Sequence, residues 1–417
     1  MKLIKPFRGL RPSRVLAAKV ASHPYDVLNR SEAYELAKDK PHSFLHINKP
    51  EVDIDEAVDV HDPSVYDKGR ENLDRFIEEG TLQRDDEEMF YVYKQVMGTH
   101  EQIGLVAVAS IAAYETNHIK KHEFTRPDKE DDRVYHMDAL NDQVGPVFLT
   151  YKADGDVDRL MAQVVETTPE YDFEAEDGTQ HTFWVVEDVA LSANIEAAFA
   201  DISTLYVADG HHRSAAAARV RHLHQERNPD HSGDESYNFF LVVLFPDDQV
   251  QILDYNRVVQ DLQGASATDF QASLEANFHV EPSDLENAKP GKAGEFGFYT
   301  DGQWYKLRAN ANLLAGIDNQ DPVKRLDVSI LQDSIFTLLL GIEDQRTDKR
   351  VDFVGGIRGL QELQKRVDSG QWQAAFALYP TSIESLMAIA DADEVMPPKS
   401  TWFEPKLKSG LIVHMLD

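Results

Sequence analysis

The densest chemistry in the chain lies at Asp209-Gly210-His211-His212-Arg213, where a carboxylate, two imidazoles and a guanidinium fall within five residues. The preceding run, Ser203 to Ala208, reads as a buried strand, and Ser214 to Val220, with four consecutive alanines, reads as a helix. A strand, a glycine hinge and a helix start together make an anion site. The first-turn N–H groups of the helix have no partner within it, and its dipole favours negative charge there. Arg213 adds a planar fork suited to phosphate or carboxylate oxygens. The expected assignment is phosphate binding by Asp209, Gly210, His211, His212 and Arg213. His212 is also a candidate catalytic group, and Asp209 a candidate metal ligand. The plain alternative is a polar helix cap with surface histidines.

A second constellation is Asn117 to Arg133, which contains His118, Lys121, His122, Glu123, Arg126 and Lys129. His118 and His122 have the i, i+4 spacing of zinc ligands on a helix. Pro127 and the density of charge argue against a long helix here, so that spacing loses its geometric force. The functional reading makes Glu123 a general base, with Lys121, Arg126 and Lys129 contacting phosphate. A solvated charged loop is the competing account. Asp26, in His23-Pro24-Tyr25-Asp26, is the rival carboxylate base, beside a proline that extends the backbone. Gly355-Gly356-Ile357-Arg358-Gly359 is a weak phosphate-cradle signal, since glycine-rich loops are common.

The elements that must position these groups are mixed in order. Asp67 to Glu79 has helical spacing and stops at Gly80. Met89 to Val96 and Ile103 to Ala109 read as strands paired across Gly98, and Val15 to Val20 as a short strand. Pro146 to Tyr151, Thr182 to Val186 and Phe239 to Phe245 are further strands, rich in valine and aromatics. Farther on, Phe270 to Phe278, Val328 to Leu340 and Gln361 to Asp368 read as helices. Glu295 to Tyr299 and Trp304 to Leu307 form a hairpin across Asp301-Gly302. The order predicts an α+β fold, and the length of 417 residues predicts two domains, divided here at 1–261 and 262–417.

Bulk composition removes several classes. A net charge of −31 opposes broad binding to nucleic acid or to anionic membrane. The absence of cysteine removes disulfides, thiolate metal sites and cysteine nucleophiles. No secretory signal is visible at Met1 to Pro6, and the longest apolar stretch, Ile103 to Ala113, is too short to span a membrane, so a cytoplasmic protein is expected. Neither a Walker A sequence nor G-x-G-x-x-G, a protein-kinase signature set, a G-x-S-x-G elbow or H-E-x-x-H is present.

Several dispersed motifs, taken in order, resemble a bacterial and archaeal family known as domain of unknown function 1015. They are Pro6 to Pro12, Pro24 to Val27, His122-Glu123 with Thr125, Asp132-Arg133, Ala208 to Arg213, and Lys399-Ser400-Thr401 with Phe403 and Pro405-Lys406. That family looks related to the ParB and sulfiredoxin superfamily, whose members bind nucleotide phosphates at a similar turn. The Asp-Gly-His-His-Arg form is similar to that of free serine kinases. The resemblance implies a ParB/sulfiredoxin-like core, a second smaller α+β region and nucleotide binding at Asp209 to Arg213. It further implies transfer of phosphate from ATP or ADP, with Mg2+, to L-serine. One departure is clear: Asp254-Tyr255-Asn256-Arg257 stands where relatives tend to carry a Pro-Thr-His-Arg-like segment, which leaves the acceptor open.

The expected protein is therefore a small-molecule kinase whose partners are a nucleotide and a small hydroxyl compound. Two rivals share the site: a nucleotide-binding switch without transfer, and a nucleotide hydrolase. The composition leaves oligomeric state undetermined.

Overall fold

A computed structural model describes residues 2–318 and 320–417. The chain forms two units, one running to Val250 and regaining Pro405–Asp417, the other spanning Gln251–Glu404. Both mix helices with sheets, so the chain is α+β. The division expected at 261/262 differs in two ways, and strand pairing explains both. Tyr255–Val259 pairs with Val351–Gly355 and so belongs to the second sheet. The last residues, expected to close the second region, return to the first, where His414–Met415 pairs with Asp142–Gln143.

The first unit is built on a nine-stranded sheet. Its strands are β1 (Ile4–Lys5), β2 (Tyr91–Met97), β3 (His100–Ser110), β4 (Ile119–Lys120) and β5 (Val147–Tyr151). They continue with β6 (Tyr171–Glu174), β7 (Gln180–Val185), β8 (Leu205–Asp209) and β9 (Phe239–Pro246). The spatial order is β4-β8-β5-β9-β3-β2-β7-β6, with β1 also paired to β3. Only β4–β8 and β5–β9 are parallel. The unbroken apolar run of β9 follows from its place between β5 and β3, where both faces are covered.

Five helices matter for the site: α1 (Pro63–Glu78), α2 (Pro127–Leu140), α3 (Gly155–Val165), α4 (Val189–Ala200) and α5 (His211–Arg227). Val157, Leu160, Ile195 and Phe199 of α3 and α4 share one core with Val92, Leu105, Leu149 and Val207 of the sheet. Ala216, Ala217 and Val220 of α5 join the same core, so the alanine run lets α5 lie close to the strands. Helix α5 packs on α2, and α2 on α1.

Two local expectations fail. Val15 to Val20 is not a strand: the Ser13 carbonyl accepts the N–H groups of Leu16 and Ala17, and this turn leads into a short helix at Ala17–Val20. Pro127 does not bar a helix but begins one, at the first helical position where its missing N–H costs nothing. None of the helices among the described residues is long and apolar enough to cross a membrane.

The second unit holds an antiparallel sheet of β10 (Tyr255–Val259), β11 (Phe278–Ser283), β12 (Glu295–Thr300), β13 (Gln303–Ala309), β14 (Val351–Gly355) and β15 (Ala374–Ala377). Their order is β11-β13-β12-β15-β10-β14. The hairpin β12–β13 turns at Asp301 and Gly302, both with positive φ, as the Asp-Gly pair predicts. Phe270 lies in a helix, Ala267–Leu274, and Gln361 to Asp368 in another, Gly359–Asp368. The helix expected over Val328 to Leu340 is interrupted by a π-helical stretch at Gln332–Thr337.

Gly355 and Gly356 answer a packing need. A Cβ on Gly355 would meet the Trp402 ring at 2.7 Å, and one on Gly356 would meet Asp254 at 2.5 Å. Arg257 is fully buried, donating to the carbonyls of Pro398 and Lys399 at 3.1 and 3.0 Å and to Gln345 at 3.2 Å. Burial pulls its guanidinium down to about 9. The Asp254 to Arg257 segment is thus tied into the second unit's own packing.

Candidate functional site

Strand β8 ends at Asp209, and α5 begins at His211. Between them Gly210 adopts φ +104°, a left-handed conformation that a side chain would strain. A Cβ there would also come within 3.2 Å of the Arg213 guanidinium. The register of β8 against β5 slips between Val207 and Asp209, a bulge that re-aims the last residue of the strand. These features bring the Asp209 carboxylate and the start of α5 to one end of β8. No side chain caps the helix, so its first N–H groups receive no side-chain acceptor.

Arg213 lies in the first turn of α5 and is buried, donating through Nη1 to the Pro146 carbonyl. Its Nε is buried without a hydrogen-bond partner. Asp209 pairs with Lys406, Oδ2 to Nζ, at 3.1 Å. Burial alone would raise that carboxyl, but the charges of Lys406 and Arg213 and the Lys406 hydrogen bond hold it well below the ordinary carboxylate range. Lys406 is anchored through its carbonyl, which accepts from Gln95 Nε2 at 3.0 Å. Farther along the same segment, Ser409 and Ser22 exchange backbone hydrogen bonds, and Lys408 pairs with Asp177 at 2.9 Å.

Because β4 runs parallel to β8, the chain leaves both strands at the same end of the sheet. His122 and Glu123 follow β4 and so arrive beside His211. The His122 and His211 rings meet edge to face at 4.4 Å, and His211 Nδ1 lies 3.9 Å from Glu123 Oε2. Both imidazoles are buried. Burial pushes His122 down to about 4, against a backbone hydrogen bond to Val207 and the opposing charge of Asp209. Burial, with His122 next in effect, pushes His211 well below the usual histidine range. Each therefore stays neutral at pH 7. His212 accepts the backbone N–H of Arg126 at Nε2, 3.1 Å away, which ties the 122–126 loop to α5.

The sequence-expected residues separate into those brought together and those left apart. Asp209, Gly210, His211, His212, Arg213 and Glu123 converge. The side chain of Arg126, expected on phosphate, pairs instead with Asp128 at 3.0 Å, and Lys129 is exposed in the first turn of α2. Lys121 lies over the Tyr114 ring at 4.3 Å and donates to the Tyr114 carbonyl. Asp26 sits exposed in the short turn Tyr25–Val27, whose Tyr25 ring stacks against Arg133 at 3.9 Å.

Magnesium at Asp209 does not fit the residues present, because the Lys406 ammonium already holds the place of a cation beside that single carboxylate. Lys406 and the His122–His211 contact were not foreseen. For the first, Pro405-Lys406 stood among the dispersed motifs with no partner assigned to it. The second needed the β4–β8 pairing.

The first unit also holds a cavity of about 600 Å³, lined by Ser22, His23, Lys40, His42, Ser43 and Lys408 among others. None of Asp209 to Arg213 lines it. It is joined to their neighbourhood by the tail segment, which carries Lys406 at one end and Lys408 at the other.

A model of the family described as protein of unknown function (DUF1015) matches residues 4–329. Among solved structures, a free serine kinase in complex with AMP is similar at 13% identity and a TM-score of 0.35, covering 73% of this chain and 92% of that one. SbnI with a C-terminal truncation, from Staphylococcus aureus, is similar at 12% identity and a TM-score of 0.36, covering 73% and 85%. A conserved hypothetical protein from Pyrococcus furiosus is similar at 13% identity and a TM-score of 0.33, covering 73% and 95%. These overlaps are too loose to pair residue with residue. No curated protein matches the chain.

Proposed function

The chain belongs to the DUF1015 family, and from the geometry of its site we propose that it is a nucleotide-dependent phosphotransferase acting on a small hydroxyl compound. The observation that carries this reading is the junction at Gly210. There an uncapped helix start, a buried arginine with an unpartnered Nε and a lysine ammonium stand at the same turn, the last two both acting on Asp209. Such an arrangement favours the oxygens of a phosphate chain over any neutral ligand. The core is read as ParB/sulfiredoxin-like, in keeping with the motif resemblance.

Phosphoryl transfer asks chiefly for positioning and charge neutralisation. The helix N–H groups and Arg213 would bind the donor's phosphates, and Lys406 would neutralise charge as it develops. Glu123, beside the first residue of α5, would take the proton of the acceptor hydroxyl as its oxygen attacks phosphorus. The bond from that phosphorus to the nucleotide oxygen breaks, and the shortened nucleotide leaves. Glu123 is preferred to Asp26 because it lies against the helix start. L-serine is the proposed acceptor, and ATP or ADP the donor.

Mass spectrometry of the protein incubated with magnesium, ATP or ADP and a pool of hydroxyl metabolites including L-serine tests this. Phosphoserine formed by the wild type and lost in Arg213→Ala is the expected result. Nucleotide affinity unchanged by Arg213→Ala overturns the site, and nucleotide binding with no phosphorylated product replaces transfer by a binding switch.

A further inference from the structure

We propose that His122, Glu123 and His211 form a binding site for a divalent transition-metal ion of the zinc, cobalt or manganese kind. One ligand atom from each of the three lies within 4.8 Å of the others. Ligands on a common ion at about 2.1 Å stand roughly 3.0–3.5 Å apart, so a contraction of at most about 1.3–1.8 Å closes the site. The contraction is small because two of the three side chains sit at chain exits fixed by one parallel strand pair.

The second observation is what the imidazoles lack. His122 is 2% exposed, and neither ring nitrogen makes a hydrogen bond of good geometry, the Val207 backbone being the one polar group in range; His211 is 5% exposed, with Nε2 buried and unpartnered. Buried polar atoms without partners are rare and call for an explanation. An ion bound between His122 and His211 would give one nitrogen of each ring a partner. The two rings meet at 90°, with His211 Nδ1 facing the Glu123 carboxylate at 3.9 Å.

Donor chemistry sets the class of ion. Two imidazoles and one carboxylate suit zinc, cobalt or manganese, whereas magnesium prefers oxygen ligands. Three protein ligands leave at least one position for water or a substrate oxygen. An ion there would engage the Glu123 carboxylate and withdraw it from proton transfer. The site goes beyond the phosphotransferase reading and is read without nucleotide or acceptor.

The test is cobalt titration of the full-length protein after chelator dialysis, followed by visible absorption and calorimetry, with zinc as competitor. One cobalt ion per chain is expected, with the stronger visible band of a low-coordinate site, displaced by equimolar zinc and untouched by millimolar magnesium. His122→Gln and Glu123→Gln, each checked for fold by circular dichroism, should lower affinity at least tenfold. Arg213→Ala should keep the ion even where it loses nucleotide, which separates this proposal from the phosphotransferase reading. Cobalt binding unchanged in both ligand variants, displacement by magnesium, or no wild-type binding below millimolar cobalt would each overturn the assignment.

Discussion

Removing the ammonium of Lys406 tests whether the tail is an integral part of the Asp209 turn. Its Nζ lies 3.1 Å from Asp209 Oδ2, and the two side chains are 18% and 30% exposed. At that distance Coulomb's law with an effective dielectric of about 20 gives roughly 5 kcal/mol. Dehydration of two partly covered charges offsets more than half of it, leaving a coupling of about 2 kcal/mol, above the ~0–1 kcal/mol of exposed pairs.

The assay is a double-mutant cycle of Lys406→Met, Asp209→Asn and the double variant, by urea denaturation at pH 7. The pH dependence supplies an independent sign. Asp209 is held below its unfolded value, so its stabilisation is complete above the unfolded pKa and is lost as pH falls through the lower folded value. Lys406→Met should move that loss to higher pH. A coupling under about 0.5 kcal/mol, with no change in the acid limb, refutes the reasoning.

Gly210→Ala should destabilise the first unit by about 1–3 kcal/mol, because φ is +104° and the new Cβ presses on Arg213; thermal unfolding measures it. Nucleotide affinity should fall in the same variant. Asp327 is raised to about 7 by burial, against a hydrogen bond from the Gly294 N–H. Between its unfolded value and 7 the folded state therefore holds the extra proton, and stability falls as pH rises through that window. Asp327→Asn should flatten this limb in urea denaturation at pH 5 and pH 8, and an unchanged slope would exclude Asp327 as its source.

The regular parts of the fold were legible because their signals are local. Alternating or continuous apolar runs marked β2, β3, β5 and β9, and Asp301-Gly302 marked its hairpin through backbone preference alone. Where a single turn decided the outcome, as at Ser13 ahead of Ala17–Val20, strand-like composition misled. Pro127 misled for a different reason, since the same residue ends a helix from inside and begins one at its first position.

The candidate site divides along the same line. Asp209 to Arg213 could be read in sequence, because a strand, a glycine and a helix in succession build the anion site from neighbouring residues. The zinc-like spacing of His118 and His122 failed because a strand, not a helix, lies between them; four residues of strand span about 13 Å. His122 meets His211 only because β4 and β8 are parallel, and Lys406 meets Asp209 only because the tail returns to the first unit. Sequence determined the turn, since its geometry is a property of adjacent dihedral angles. Tertiary structure alone decided which distant imidazole and ammonium face it, since pairing between strands far apart in the chain leaves no local trace.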